Sequence, residues 1–252
     1  MQRYFIELAY KGTGFHGWQI QENAITVQEE LEKTLSLLLR ENISVTGAGR
    51  TDTGVHASFF IAHFDSEKLD LHEDYKFIYR INQAINSDII IRKVMKVIDK
   101  AHARFDAVSR EYKYFISQIK DPFRREFCYE YYGKLDIGLM NEAAKIIMDY
   151  QDFESFCKLH SDVKTTICNV TTSIWNIAEN QYVYTIRADR FLRNMVRAIV
   201  GTMFEVGKGK LTIKMFHEII KGKNRSLAGA SAPAKGLFLT NIKYPCNIFI
   251  MN

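Results

Sequence analysis

Residues 26–39 read TVQEELEKTLSLLL, and the point at which this helix begins decides the architecture. Thr26-Val27-Gln28-Glu29 is a T-x-x-E capping box, and Val27, Leu31, Leu35, Leu38 and Leu39 recur behind it at helical spacing. The pattern predicts a helix of about four turns starting at Thr26. Upstream, RYFIELA at 3–9 alternates, with Tyr4, Ile6 and Leu8 on one face, which is the period of a half-buried strand. Gly12-Thr-Gly-Phe-His-Gly17 follows that strand and matches G-x-G-x-x-G, the dinucleotide-binding fingerprint. That fingerprint needs its third glycine in the first turn of the helix, yet the capping box lies nine positions beyond Gly17 and no acidic residue ends the next strand. A dinucleotide fold is excluded. Gly201 and Gly207-Lys208 fail as a phosphate loop because the spacing is one residue too long and Gly209 stands where Ser or Thr is needed.

Outward from residues 26–39, strands are expected at 43–45 and 59–64, a helix at 76–85, and further strands at 89–98 and 110–119. The order then begins again with a helix at 139–150 and a hairpin of 172–178 and 181–188 around Glu179-Asn180. A long helix at 191–206, another at 212–221 and a closing strand at 237–242 complete it. Antiparallel strands mixed with helices indicate an α+β protein. We read two similar halves, residues 1–105 and 106–252, each a mostly antiparallel sheet with helices on one face.

The 252 residues include 34 basic and 29 acidic side chains, a formal charge of +5, with 47% hydrophobic and 25% charged. This is a globular composition, which excludes disorder and fibre, and the charge leans toward a polyanionic partner. No apolar run approaches the ~18 residues of a membrane helix, and the first residues do not resemble a signal peptide. Cys128, Cys157, Cys168 and Cys246 form no C-x-x-C pair. That argues against a zinc site or a disulfide framework and for a reduced, cytoplasmic protein.

Gly47-Ala-Gly-Arg-Thr-Asp-Thr-Gly-Val-His-Ala57 packs three glycines around Arg50 and Asp52 between two expected strands. A hairpin needs fewer residues, and long ordered loops in compact domains are usually functional. Arg50 and Asp52 share one face of an extended segment. A glycosidase would need two carboxylates, and the seven histidines show no metal-ligand spacing. One aspartate without metal points to nucleophilic or base chemistry at a single carbon. His56 heads an apolar strand and reads as a packed, hydrogen-bonded residue. Arg190, Arg193 and Arg197 recur at i, i+3 and i+7 on the expected long helix, a choice suited to phosphate or carboxylate. Ser109-Arg-Glu-Tyr-Lys-Tyr-Phe115 interleaves aromatic and basic side chains, as base stacking beside phosphate requires. Phe123-Arg-Arg125 and residues 158–164 add basic character.

These stretches resemble the TruA family of tRNA pseudouridine synthases almost end to end. The likeness runs through YKGTGFHGWQIQ at 10–21, TVQEELEKTL at 26–35, GRTDTGVHA at 49–57, HARFDAVSREYKYFI at 102–116, FLRNMVRAIVGT at 191–202 and APAKGLFLTNIKYP at 232–245. GRTDTGVHA is the most specific; Thr53 stands where many members carry alanine. The resemblance implies an isomerase that converts uridine to pseudouridine at positions 38, 39 and 40 of the tRNA anticodon arm. It also implies two α+β halves about a central cleft, a homodimer, and no cofactor or metal. Asp52 then matches the catalytic aspartate, Arg197 the arginine that pairs with it, Tyr112 the tyrosine that contacts the target base, and Leu237 the apolar residue under that base. Arg50, Arg190 and Arg193 are candidates for contacts that hold the extruded nucleotide. Asp52 either attacks the ribose C1′ or removes a ribose proton to give a glycal-like intermediate. Two rivals keep the same composition: a non-catalytic RNA-binding protein, and a single-aspartate enzyme acting on a small nucleoside.

Overall fold

A computed structural model describes residues 1–158 and 164–250. Most of the basic stretch 158–164 therefore lies outside the described residues. The protein is α+β, and packing divides it into two units: 1–108 with 239–252, and 109–238. The sequence groups the last residues with the second half, whereas packing groups them with the first.

In the first unit, β1 (Gln2–Tyr10) lies between β3 (His56–Ser66) and β4 (Ile89–Lys96), antiparallel to both. The short β2 (Val45–Gly47) pairs antiparallel with β3, and β9 (Leu237–Lys243), whose residues from 239 onward belong to this unit, lies beside β3. Helices α1 (Val27–Leu39) and α2 (Tyr75–Ala84) pack against β2, β4 and each other. Thr26 caps α1 as expected, its hydroxyl accepting from the Glu29 N–H at 3.4 Å, and the Glu29 carboxylate meets Lys33 one turn on. One expectation is corrected here. β1 is not half-buried: Tyr4, Phe5, Ile6 and Leu8 are all fully buried. The C-terminal segment covers the second face, with Tyr244 and Phe249 edge-on to Phe5 at 5.2 and 6.0 Å.

In the second unit, β8 (Gln181–Ala188) lies between β5 (Ser109–Ser117) and β7 (Val170–Ala178), again antiparallel to both. A short β6 (Tyr129–Glu130) runs parallel to β5. Helix α3 (Ile137–Met148) packs on β7, and α4 (Met195–Gly207) and α5 (Ile213–Lys221) pack on α3. Trp175 stacks on Tyr184 at 4.9 Å in the core.

Both units treat their outer strand alike. On α2, Asn82 accepts from the Ile91 N–H and donates to its carbonyl at 2.7 and 2.8 Å; on α3, Asn141 does the same for Trp175 at 2.8 and 3.0 Å. Each amide satisfies the backbone of an edge strand that would otherwise invite pairing. The long helix starts later than its apolar pattern suggests, at Met195, because Asn194 sits in the left-handed region with φ 65°.

Candidate active site

The loop between β2 and β3 carries Asp52, and the stretch Gly12–Trp18 lies underneath it. The Trp18 N–H donates to the Thr51 carbonyl at 3.3 Å, and the Gly54 N–H to the Phe15 carbonyl at 3.3 Å. The Val55 N–H closes a turn onto the Asp52 carbonyl at 3.1 Å, and the Thr51 and Tyr10 hydroxyls share a hydrogen bond of 2.9 Å. His56 is buried, and its Nδ1 accepts the Gly12 N–H at 3.0 Å, the structural role its position suggested. The two backbones touch because glycine allows it. A Cβ on Gly12 would lie 2.0 Å from the Val55 carbonyl oxygen. One on Gly17, at φ +86°, would lie 2.3 Å from that of Thr51. Two of the three glycines of the false dinucleotide fingerprint, Gly12 and Gly17, thus seat the aspartate loop. The same stretch sets the start of α1, whose Val27 and Gln28 N–H groups donate to the Gly17 and Trp18 carbonyls at 3.2 and 3.0 Å. Asp52 is half-buried and Arg50 is exposed.

The remaining sequence candidates, Tyr112, Arg190, Arg193, Arg197 and Leu237, fall in the second unit. Tyr112 on β5 is half-buried, its ring edge-on to Phe191 at 5.1 Å and 90°. The segment from Asp189 to Asn194 is tied on both sides. The Asp189 carboxylate accepts the Asn169 and Arg190 N–H groups at 2.7 Å each, and Arg110 donates to the Asp189 carbonyl at 2.7 Å. Arg190 and Arg193 therefore belong to this lead-in and not to α4, so the expected helical row of three arginines does not exist. Arg197 alone of the three is helical.

Arg197 is half-buried, with its Nε donating to the Ala232 carbonyl at 2.7 Å while the Ala232 N–H donates to the Arg197 carbonyl at 2.9 Å. The segment 225–236 is clamped to α4 from several directions. Asn194 donates to the Ser231 hydroxyl at 2.6 Å, the Gly229 N–H donates to the Thr202 hydroxyl at 2.9 Å, and Gly201 leaves room for the Ala230 carbonyl, which a Cβ would meet at 1.8 Å. Arg225 donates to the Ala228 and Gly229 carbonyls and to the Ser231 hydroxyl at 3.0–3.3 Å. Tyr114 donates to the Pro233 carbonyl at 2.9 Å, and burial pushes its hydroxyl well above the ordinary phenol range, so it remains a donor. Leu237 follows, buried, behind a 3-10 turn at Ala234–Gly236.

Burial raises the thiol of Cys168 to about 12 and pushes that of Cys128 above its ordinary range, so neither supplies a thiolate nucleophile. Among the ionisable side chains of the aspartate loop, Asp52 is the only carboxylate. Residue-by-residue reading overlooked Phe191, Asn194 and Arg225. Tyr10, Phe15 and Trp18 carried a signal, since aromatic side chains between glycines directly after a strand need a packing reason.

The family model described as tRNA pseudouridine synthase matches residues 143–245, a stretch that holds Arg190, Arg193, Arg197 and Leu237. Similarity to full-length proteins extends over the aspartate loop too. The proteins named tRNA pseudouridine synthase A from Bacteroides thetaiotaomicron and Bacteroides fragilis are each 53% identical to this chain, covering 99% of it and 93% and 99% of their own lengths. The protein of that name from Colwellia psychrerythraea is 38% identical, covering 97% of this chain and 95% of its own.

Proposed function

The chain belongs to the tRNA pseudouridine synthase family, and from that premise we propose that it isomerises uridine to pseudouridine at positions 38, 39 and 40 of the tRNA anticodon stem-loop. The N1–C1′ bond breaks, the uracil turns, a C5–C1′ bond forms, and the C5 proton is exchanged for one on N1. Nothing is oxidised and no group leaves, so the reaction needs no redox cofactor. One carboxylate suffices, and we assign it to Asp52, acting either on C1′ or on a ribose proton. The seating of its loop on Gly12–Trp18 carries this reading: a carboxylate that must meet one carbon has to be held in place, and the flanking backbone is hydrogen-bonded on both sides.

In the same reading Arg197 serves the aspartate, Tyr112 and Leu237 receive the target base, and Arg50, Arg190 and Arg193 hold the phosphates of the extruded nucleotide. The aspartate loop belongs to the first unit and Arg197 to the second. The protein acts in the cytoplasm as a homodimer on the anticodon arm. The charge of +5 suits RNA, and no helix among the described residues is long and apolar enough to cross a membrane.

The test is position-resolved pseudouridine mapping, by carbodiimide labelling and primer extension, on unmodified tRNA with uridines throughout the anticodon arm. Wild type should give stops only at positions 38 to 40. Asp52→Asn should bind tRNA and lose at least about 10³-fold in rate, the scale expected for removing a group that reacts directly. Stops elsewhere would move the target site. Tight binding with no stops from wild type would make this a non-catalytic RNA-binding relative.

A further inference from the structure

In the first unit, residues 101–106 (AHARFD) form a loop fixed by side-chain acceptors. His63 on β3 accepts the Ala103 N–H at its Nδ1, 3.1 Å. His102 turns its own Nδ1 on the loop and accepts the Arg104 and Phe105 N–H groups at 3.1 and 3.3 Å. The Asp106 carboxylate takes the His102 N–H at 2.7 Å, and Tyr244 donates to the Ala103 carbonyl. The two imidazoles meet edge-on at 4.7 Å. Three consecutive backbone N–H groups thus end on imidazole nitrogens, which accept only while neutral. Arg3, Asp65, Asp106 and Arg104 are the charged groups around them; burial first and Arg3 second hold both rings below the ordinary histidine range, His63 at about 4.

The outward side of this fixed loop is what needs explaining. Phe105 is 74% exposed, with one side of its ring on His102 at 4.2 Å, and the Arg104 guanidinium stands 5.7 Å from the ring centroid. A rigid, solvent-facing phenyl ring beside a guanidinium adds nothing to the core. We propose that Arg104 and Phe105 form a further RNA contact on the first unit, the ring stacking on an unpaired base and the guanidinium meeting an adjacent phosphate. The inference rests on the reading of the chain as a tRNA-acting enzyme. A protein partner is the weaker fit, because one ring and one guanidinium fall far short of the ~800 Å² per partner that a stable protein interface buries. One nucleotide needs no more than a flat apolar face and a cation.

The experiment measures binding of an unmodified tRNA transcript to the full-length protein across a salt series, for wild type, Phe105→Ala, Phe105→Trp and Arg104→Gln. Thermal melting checks that each variant is folded. Phe105→Ala should weaken binding roughly 5- to 100-fold with an unchanged salt slope, and Phe105→Trp should restore it. Arg104→Gln should weaken binding and reduce the magnitude of the log–log salt slope by about 0.7–0.9, one phosphate. Pseudouridine formation at saturating tRNA should stay within about twofold of wild type, since neither residue touches the reacting atoms. Wild-type affinity and slope in folded Phe105→Ala and Arg104→Gln would overturn the inference, as would a changed sedimentation with unchanged RNA binding, which would assign the patch to a second copy of the chain. A wild type that binds tRNA but makes no pseudouridine would sink the activity reading alone, and the binding comparison would still decide this one.

Discussion

The aspartate loop of the first unit and the segment clamped on α4 in the second are both held by close approach, but with different materials. Around Asp52 the holding is largely backbone to backbone: the loops 12–18 and 51–56 exchange N–H and carbonyl groups, and two glycines remove the Cβ atoms that would keep them apart. Around Arg197 it is largely side chain to backbone, with Asn194, Arg225, Tyr114 and Thr202 reaching the segment 228–233. The first kind of seat tolerates no added atom. The second is a sum of separate bonds that can be removed one by one.

That contrast is broken most directly by adding one methyl group. Gly12→Ala and Gly17→Ala each drive a Cβ into a backbone carbonyl oxygen, at 2.0 and 2.3 Å, and Gly17 also leaves its favoured conformation. Each should cost about 3 kcal/mol or more by urea unfolding, and pseudouridine formation should fall further than the folded fraction does. Gly49→Ala is the control in the same loop, because its Cβ would meet nothing within 4 Å, and it should cost less than about 0.5 kcal/mol. Equal, small effects at all three positions would show that the two loops are not locked together.

Arg225→Gln tests the other kind of seat. The shorter amide cannot serve both carbonyls and the Ser231 hydroxyl, so acceptors that are half-buried lose charged donors, at about 2 kcal/mol. Urea unfolding gives the cost directly. If Arg197 serves Asp52, kcat should fall while tRNA affinity holds, since Ala232 both accepts from and donates to Arg197. Unchanged stability and kcat would mean that the segment is held without Arg225.

The difference in materials also explains what could be read from the sequence. Helix starts at Thr26 and Thr212, the strand alternation and the hairpin at Glu179-Asn180 are local rules, and they place most elements within a few residues. The glycine-rich stretches were visible as motifs, although the first one resembled a different chemistry until the helix start excluded it. Burial of both faces of β1 was not legible, because the covering residues Tyr244 and Phe249 come from the far end of the chain. The lead-in to α4 misled for a related reason: Arg190 to Met203 keeps helical spacing, but Asn194 turns left-handed where its amide reaches Ser231, 37 residues away in sequence. Side chains that end on carbonyls of a distant loop leave no periodicity to find. Asp52, by contrast, was singled out because the loop between the two strands is longer than a hairpin needs and holds one carboxylate.

Acid should separate the two units by a smaller margin. The first unit relies on a neutral imidazole as acceptor, His63 for Ala103, whereas the segment 228–233 is held by a guanidinium, an amide and hydroxyls that do not titrate between pH 4 and 7. His63 has a folded value of about 4 against an ordinary 6.5, so the unfolded chain binds the extra proton between those limits. Stability from this ring is therefore complete above about pH 6.5 and is lost as the pH falls toward 4. The loss by pH 5 should be about 1 kcal/mol after screening by the water that reaches the ring edges. Hydrogen exchange should place it: the Ala103 amide should lose protection on going from pH 7 to 5, after correction for intrinsic rates, while the Ala232 amide bonded to Arg197 keeps its own. A His63→Gln variant, whose amide oxygen accepts without titrating, should flatten the dependence. If both amides lose protection together, the two seats unfold as one cooperative unit and their difference in materials has no consequence for acid stability.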